Sequence, residues 1–132
     1  MNNALNLYIE RAIATAENAY VPYSKYPVGA VLVGENEDMF TGCNVENASY
    51  PASICAERTA LVKAVSEGMR RFSCIVVATE NGGSPCGICR QMLYEFSPTM
   101  RVVCVTFEGD VTLDMTLNEL LPTGFGPESL DH

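Results

Sequence analysis

The sequence holds a single histidine, His132, and it is the last residue. Without an internal imidazole there is no Ser-His-Asp triad, no Cys-His protease pair and no histidine-rich zinc site. Basic residues are scarce too: 8 Lys and Arg stand against 16 Asp and Glu, a formal net charge of −8. Phosphate neutralisation supplies most non-specific affinity for nucleic acid, so this balance opposes DNA, RNA and anionic membranes as partners. No cationic run exceeds Arg70-Arg71. Long apolar stretches are missing as well. Ala4 to Ile9 is interrupted by Glu10 and Arg11, too soon for a membrane span, and no basic region precedes it as in a signal peptide. The expectation is a cytoplasmic protein with neither a nucleic-acid nor a membrane partner.

What is present fits one domain. At 132 residues and 48% hydrophobic content the chain can bury a core without staples, so 1–132 is expected to be a single domain, with residues 127–132 as a flexible tail. Six cysteines in a reducing compartment are free thiols, metal ligands or catalytic groups rather than disulfides.

Hydrophobic period sets out the elements. Leu5, Tyr8, Ile9, Ala12, Ile13, Ala16 and Ala19 recur at three- and four-residue steps, predicting a helix that ends before Pro22. Val28 to Val33 and Phe40 to Val45 flank a polar turn cluster and read as an antiparallel hairpin. A second helix is predicted from Cys55 to Glu67, stopped by Gly68. Cys74 to Ala78 is an unbroken apolar strand. A third helix carries Cys89, Met92, Leu93 and Phe96 on one face and breaks at Pro98. Val102 to Phe107 is another buried strand, Val111 to Leu113 an edge strand, and Leu117 to Leu121 a short helical turn. Strands alternating with helices from residue 40 onward give a layered α/β domain with a partly parallel sheet.

The chemistry gathers at two helix starts. Pro85-Cys86-Gly87-Ile88-Cys89 sets two thiols three residues apart, a spacing at which both can face one ion. Alone, such a pair serves equally as a structural zinc knuckle or a redox couple. Cys55, in Ile54-Cys55-Ala56-Glu57-Arg58, lies at the other helix start. Helices that follow parallel strands begin on the same sheet edge, so Cys55 can join Cys86 and Cys89 there. Three thiolates leave the fourth tetrahedral position of a zinc ion open to water, the arrangement of a catalytic site. Glu57 can converge on that position only if Cys55 caps the helix and Glu57 sits in its first turn, where it would shuttle protons. Three thiolates exceed the charge of Zn²⁺ by one unit. Helix N-termini and a guanidinium offset the excess; Arg58 is predicted to donate to the thiolates, with Arg90 the second choice. Cys43, Cys74 and Cys104 fall in apolar strands and are expected to be core residues.

These motifs resemble a known family. Cys-Ala-Glu-Arg-Thr-Ala at 55–60 and Ser-Pro-Cys-Gly-Ile-Cys-Arg-Gln at 84–91 are similar to the small homotetrameric cytidine deaminases of pyrimidine salvage. A three-cysteine zinc site, a non-ligand Glu and a Pro-Cys-x-x-Cys motif are general to zinc deaminases. The resemblance extends through Pro22 to Ala30, Asn44 to Tyr50 and Leu120 to Phe125. It implies a three-layer α/β/α fold with a mixed five-stranded sheet and helices on both faces. It also implies one zinc per chain and hydrolysis of cytidine and 2′-deoxycytidine to uridine and 2′-deoxyuridine with release of ammonia.

Roles follow from the resemblance, position by position. Asn44 and Glu46 would hold ribose hydroxyls; both nucleosides offer the 3′ hydroxyl, so the two are not ranked. Taken alone, Asn44 and Glu46 read equally as a solvated strand end. Tyr26 would pack on the pyrimidine face; many relatives carry Phe there, so the extra hydroxyl needs a partner or solvent. The backbone of Ala56, with Glu57, would read the base edge. Ala48, Tyr50 and Phe125 would reach a neighbouring subunit's site, making each active site of a homotetramer shared. Tyr26 and Phe125 read by themselves as ordinary core or interface aromatics. The loop at 80–84 is shorter than in some relatives. Two other classes share part of the pattern. A zinc deaminase of aminonucleoside antibiotics or other cytosine-containing substrates keeps the cysteines, and a non-catalytic zinc module keeps them without need of Glu57.

Overall fold

The computed structural model describes residues 3–130; His132, assigned to a tail by sequence, lies outside the described residues, while Pro127–Leu130 form a 3-10 turn. The elements run in the order α1 (Asn3–Thr15), β1 (Gly29–Gly34), β2 (Met39–Cys43), α2 (Ala56–Ser66), β3 (Phe72–Thr79), α3 (Gly87–Tyr94), β4 (Arg101–Thr106), β5 (Val111–Thr116) and α4 (Leu117–Leu120). The five strands form one sheet in the order β2-β1-β3-β4-β5. Only β3 and β4 pair in parallel, joined through α3; the other pairings are antiparallel. The sheet is therefore mixed, as the family resemblance implies, and β2 and β3 point the same way across the intervening β1.

Helices cover both faces. The apolar stripe of α1 places Ile9 and Ala12 against Val31, Val33, Val76, Val103 and Val105. On the opposite face Ala60, Leu61 and Ala64 of α2, Leu93 of α3 and Leu117 of α4 pack on Leu32, Ile75, Val77 and Val102. Each fully buried Leu, Ile or Val contributes about 1.5–3 kcal/mol of transfer free energy, so both layers are held by ordinary apolar burial. Close helix approach depends on two glycines. A Cβ on Gly29 would lie 2.0 Å from the Ala12 carbonyl oxygen of α1, and one on Gly42 would lie 2.5 Å from the Ala60 nitrogen of α2.

Element ends differ from the expectations in informative ways. The first helix tightens into a 3-10 turn over Ala16–Asn18, and Tyr20 is already extended and bridged to Val45. The second strand stops at Cys43 instead of Val45, because the Asn44 side chain turns to the backbone of Tyr26 and Val28 while Val45 pairs with Ile54. The third helix ends at Tyr94, short of Phe96, whose N–H bonds to the Leu93 carbonyl in a tightened last turn. The edge strand extends to Thr116, which caps α4 through a reciprocal capping box with Glu119.

The register brings Cys43, Gly29 and Ala78 level across the sheet. The connections leaving β2 and β3 and the segment entering β1 therefore meet at one sheet edge, where α2 and α3 begin. Among the described residues no helix is long and apolar enough to cross a membrane.

Candidate active site

Both helices at this edge open on a cysteine. Cys55 is the N-cap of α2, with φ −76° and ψ 157°, and Cys86 is the N-cap of α3, with φ −70° and ψ 170°. Extended backbone at the cap turns each thiol off the helix axis, while the unpaired N–H groups of the first turn lend positive potential to the same space. Cys89, one turn into α3, is buried and completes the group. The Sγ atoms of Cys55 and Cys86 are 3.9 Å apart, those of Cys86 and Cys89 are 3.5 Å apart, and all three lie within 4.8 Å of one another. Tetrahedral zinc with bonds of about 2.3 Å holds its sulfurs about 3.8 Å apart. The trio therefore fits that ion in donor chemistry and in spacing.

The electrostatics favour thiolate at Cys55. Hydrogen bonding from Cys89, then from Arg58, outweighs burial and pulls the Cys55 thiol down to about 5. Arg58 Nη2 donates to Cys55 Sγ at 3.3 Å, the contact expected from the charge argument, and that bond holds the guanidinium charged. Cys89 moves the other way, because it donates to the Cys55 thiolate and is buried. Arg90, the second choice, serves elsewhere. Its three nitrogens donate to the Pro85 carbonyl at 2.8 Å, the Leu120 carbonyl at 2.8 Å and Ser84 Oγ at 3.0 Å, tying α3 to the C-terminal segment.

Glu57 follows the cap by two residues, in the first turn of α2, and only 4% of it is exposed. Burial pushes its carboxyl up to about 7, with the neighbouring Cys55 thiolate adding to the rise and its own backbone N–H and Arg58 opposing it. A carboxyl near neutrality can both accept and deliver a proton at physiological pH.

A cavity of about 430 Å³ opens over this group, lined by Cys55, Ala56, Glu57 and Cys86 below and by Tyr26, Asn44 and Glu46 at its side. Asn44 Oδ1 accepts from Val28 N–H and its Nδ2 donates to the Tyr26 carbonyl, each at 2.9 Å. Glu46 Oε1 accepts from the N–H groups of Tyr23 at 3.0 Å and Ser24 at 3.1 Å, and Oε2 accepts from the Ser24 hydroxyl. Those bonds, the Ser24 hydroxyl first, lower the Glu46 pKa and keep it a carboxylate. Both residues thus carry a structural duty that sequence reading missed: they pin the segment bearing Tyr26. The Tyr26 hydroxyl finds its partner in Asn81 Oδ1.

Three of the sequence-assigned residues lie away from this cavity. Ala48 is exposed, and Tyr50 and Phe125 are 70% and 55% exposed. Tyr50 stands edge-on to Tyr23 at 5.7 Å and lines an adjoining hollow that shares Ser24 and Glu46 with the main cavity. Gln91 Nε2 fixes the Phe125 carbonyl at 2.9 Å. Ser24, Thr79, Gly83 and Ser84 also line the cavity. Of these, Ser84 stood inside the second cysteine motif and Ser24 inside the Pro22 to Ala30 segment; Thr79, the last residue of β3, and Gly83, on the connection after it, are small residues that carry no periodic signal.

Comparison with known proteins agrees with this geometry. The family model for the cytidine and deoxycytidylate deaminase zinc-binding region matches residues 2–106. The chain is 44% identical to a cytidine deaminase of Sporosarcina psychrophila, the match covering 94% of this chain and 96% of that protein. It is 43% identical to one of Halalkalibacterium halodurans, covering 95% and 96%. A cytidine deaminase from Burkholderia pseudomallei superposes with a TM-score of 0.86 at 46% identity, over 91% of this chain and 98% of that one. With the thiol trio, the buried carboxyl beside it and the shared fold in agreement, the chain belongs to the zinc-dependent cytidine deaminase family.

Proposed function

We propose that the protein hydrolyses cytidine and 2′-deoxycytidine to uridine and 2′-deoxyuridine, releasing ammonia, and so serves pyrimidine salvage. The observation that carries this reading is Glu57: a buried carboxyl poised near neutrality beside three convergent thiols at the floor of a nucleoside-sized cavity. Zinc held by Cys55, Cys86 and Cys89 supplies a Lewis acid that makes water nucleophilic near neutral pH. Glu57 takes one proton from the attacking water and passes it to the ring nitrogen next to the amine-bearing carbon, then takes the second from the hydroxyl newly attached to that carbon and passes it to the departing amine, ending in its starting state. Arg58 draws charge from the Cys55 sulfur, and Arg90 holds the Pro85 carbonyl and so the loop that presents Cys86.

Substrate placement falls to the cavity wall. Tyr26 offers its ring to the pyrimidine face, Ala56 backbone and Glu57 meet the base edge, and Asn44 and Glu46 reach the ribose hydroxyls with the acceptor and donor capacity their structural bonds leave free. Exposed Tyr50 and Phe125, with Ala48, complete the site of a neighbouring copy in a homotetramer. The outward aromatic surface and the Gln91 bond that fixes the Phe125 backbone support that part. A net charge of −8 suits a neutral nucleoside and opposes a polyanion. A cytoplasmic location completes the proposal, supported by six cysteines free of disulfides.

The test is ultraviolet detection of cytidine conversion, with zinc content measured on the same sample. Conversion with one zinc per chain is expected. A protein that binds one zinc and converts no pyrimidine nucleoside overturns the reading. Light scattering addresses the assembly, and an active monomer contradicts the shared site.

A further inference from the structure

The aromatic wall of the cavity is a tyrosine whose hydroxyl donates to Asn81 Oδ1, a residue 55 positions away in the connection between β3 and α3. The two sides of this bond are not equally fixed. The Asn81 side is anchored without help from Tyr26. Gly83 N–H donates to Thr79 Oγ1 at 2.9 Å, the Thr79 hydroxyl stands 3.4 Å from Asn81 Oδ1, and Thr112 Oγ1 of β5 donates to the Gly82 carbonyl at 2.7 Å. Gly82 adopts φ +74°, and a Cβ there would lie 2.4 Å from the Thr112 side chain, so this connection is seated tightly on β5. The Tyr26 side is a surface segment. Residues 22–25 are exposed, and Lys25 holds φ +59°, left-handed backbone for a residue other than glycine. Its backbone ties run to Glu46, Ser24 and Asn44, while the hydrogen bond at the far end of the half-buried ring is the one its hydroxyl gives to Asn81.

The geometry points to Asn81 as a positioning residue: by accepting the Tyr26 hydroxyl it fixes the ring against which the nucleoside base packs and bridges the cavity mouth. The inference rests on the nucleoside reading for the identity of what packs there, while the bridge stands on the contacts alone. A ring held before substrate arrives loses less conformational freedom on binding. Releasing it therefore weakens substrate binding and leaves the proton transfers of Glu57, on the cavity floor, untouched.

Four variants, one of them double, and two measurements test this in the zinc-loaded protein. Tyr26→Phe keeps the ring and deletes the donor, and Asn81→Ala deletes the acceptor. Each is expected to raise KM for cytidine about threefold to tenfold, the worth of one net hydrogen bond, with kcat within about twofold. The double variant is expected to be no worse than the more impaired single one, since both remove the same contact. Asn81→Asp keeps an acceptor and is expected to hold KM within about twofold of the unsubstituted protein. Amide hydrogen exchange over residues 20–28 without nucleoside is expected to quicken in Tyr26→Phe and Asn81→Ala alike. Unchanged KM and exchange in Tyr26→Phe, additive effects in the double variant, or an Asp variant as impaired as Ala each overturn the assignment. Should the unsubstituted protein convert no cytidine, the nucleoside reading fails by itself. Exchange still decides the bridge: parallel quickening upholds it and unchanged rates overturn it.

Discussion

At Gly29 the backbone of α1 stands where a side chain would be, with the Ala12 carbonyl oxygen 2.0 Å and the Ala16 nitrogen 2.6 Å from a Cβ built there. On the other face Gly42 admits α2 as closely, with the Ala60 nitrogen at 2.5 Å and the Ala56 carbonyl oxygen at 2.6 Å. The packing device is the same and the outcomes differ. Beneath α1 lie Val31, Val76 and Val103, an apolar layer whose buried residues, among those described, include no ionisable group except the Cys74 thiol. The close approach of α2 instead carries Cys55, Ala56 and Glu57 to the sheet edge, where the cavity opens. Helix packing that only stabilises on one face also sets the geometry of the cavity lining on the other. The precision of the site is thus traceable to a residue with no side chain.

The largest effect separates the two faces directly. Glu57→Gln, isosteric and buried, is expected to lower kcat by about 10²–10⁴-fold, the usual worth of a positioned acid-base group, while zinc content and Tm hold. An active Gln variant removes the proton-transfer role and leaves the metal assignment standing. Thiol labelling with and without a chelator comes next. Burial pushes Cys74 up to about 11 and Cys104 up to about 12, so at pH 8 each offers at least about a hundredfold less thiolate than an ordinary cysteine. Chelation is expected to expose Cys55 and Cys86 to a disulfide reagent and leave Cys74 and Cys104 unlabelled, as read by mass spectrometry. Cys104 lies on the α2 face, so its silence would sharpen the contrast: reactivity belongs to the sheet edge and not to the face.

The glycines test the comparison at its source. Gly29→Ala and Gly42→Ala are each expected to destabilise by about 1–3 kcal/mol through overpacking, measured by denaturant unfolding. Folded Gly42→Ala is expected to lose kcat as well, by up to about a hundredfold if α2 shifts by an ångström, and folded Gly29→Ala to keep it. Equal loss of kcat in both variants breaks the distinction. The smallest effect is at Arg101 and Asp114, an exposed pair bonded at 2.9 Å and 2.7 Å on the far strands. Asp114→Asn is expected to cost at most about 1 kcal/mol and no activity. Arg101 depresses the Asp114 pKa, so the pair stabilises above the ordinary carboxylate range and its contribution fades as pH falls through the lowered value. The stability gap between Asp114→Asn and the parent is therefore expected to close in acid.

Legibility in the sequence followed the range of the interaction. The order of strands and helices, the cysteine caps and the Arg58 donor could be read because each rests on local spacing or on charge balance around a known ion. Glu57 was readable for the same reason, as a first-turn residue beside a cap. The demand of the Tyr26 hydroxyl for a partner was also visible, but Asn81 was not, since only the pairing of β1 with β3 brings them together. The need for glycine at 42 was hidden likewise, because it is a property of the helix laid across it. Strand β2 ended early because Asn44 spends its amide on the backbone of the preceding segment, a long-range use that no hydrophobic period records.

The spacing of the thiols has a consequence for how the chain assembles. Cys55 and Cys86 are 31 residues apart, and everything between them, from α2 through β3 to the start of α3, becomes a closed ring once one ion holds both sulfurs. Constraining a ring of that size in the unfolded chain is worth about 3–4 kcal/mol in loop entropy, on the same model used for a disulfide. Metal loading would then act as a reversible staple in a chain whose thiols form no disulfide, tying the order of folding to the availability of the ion.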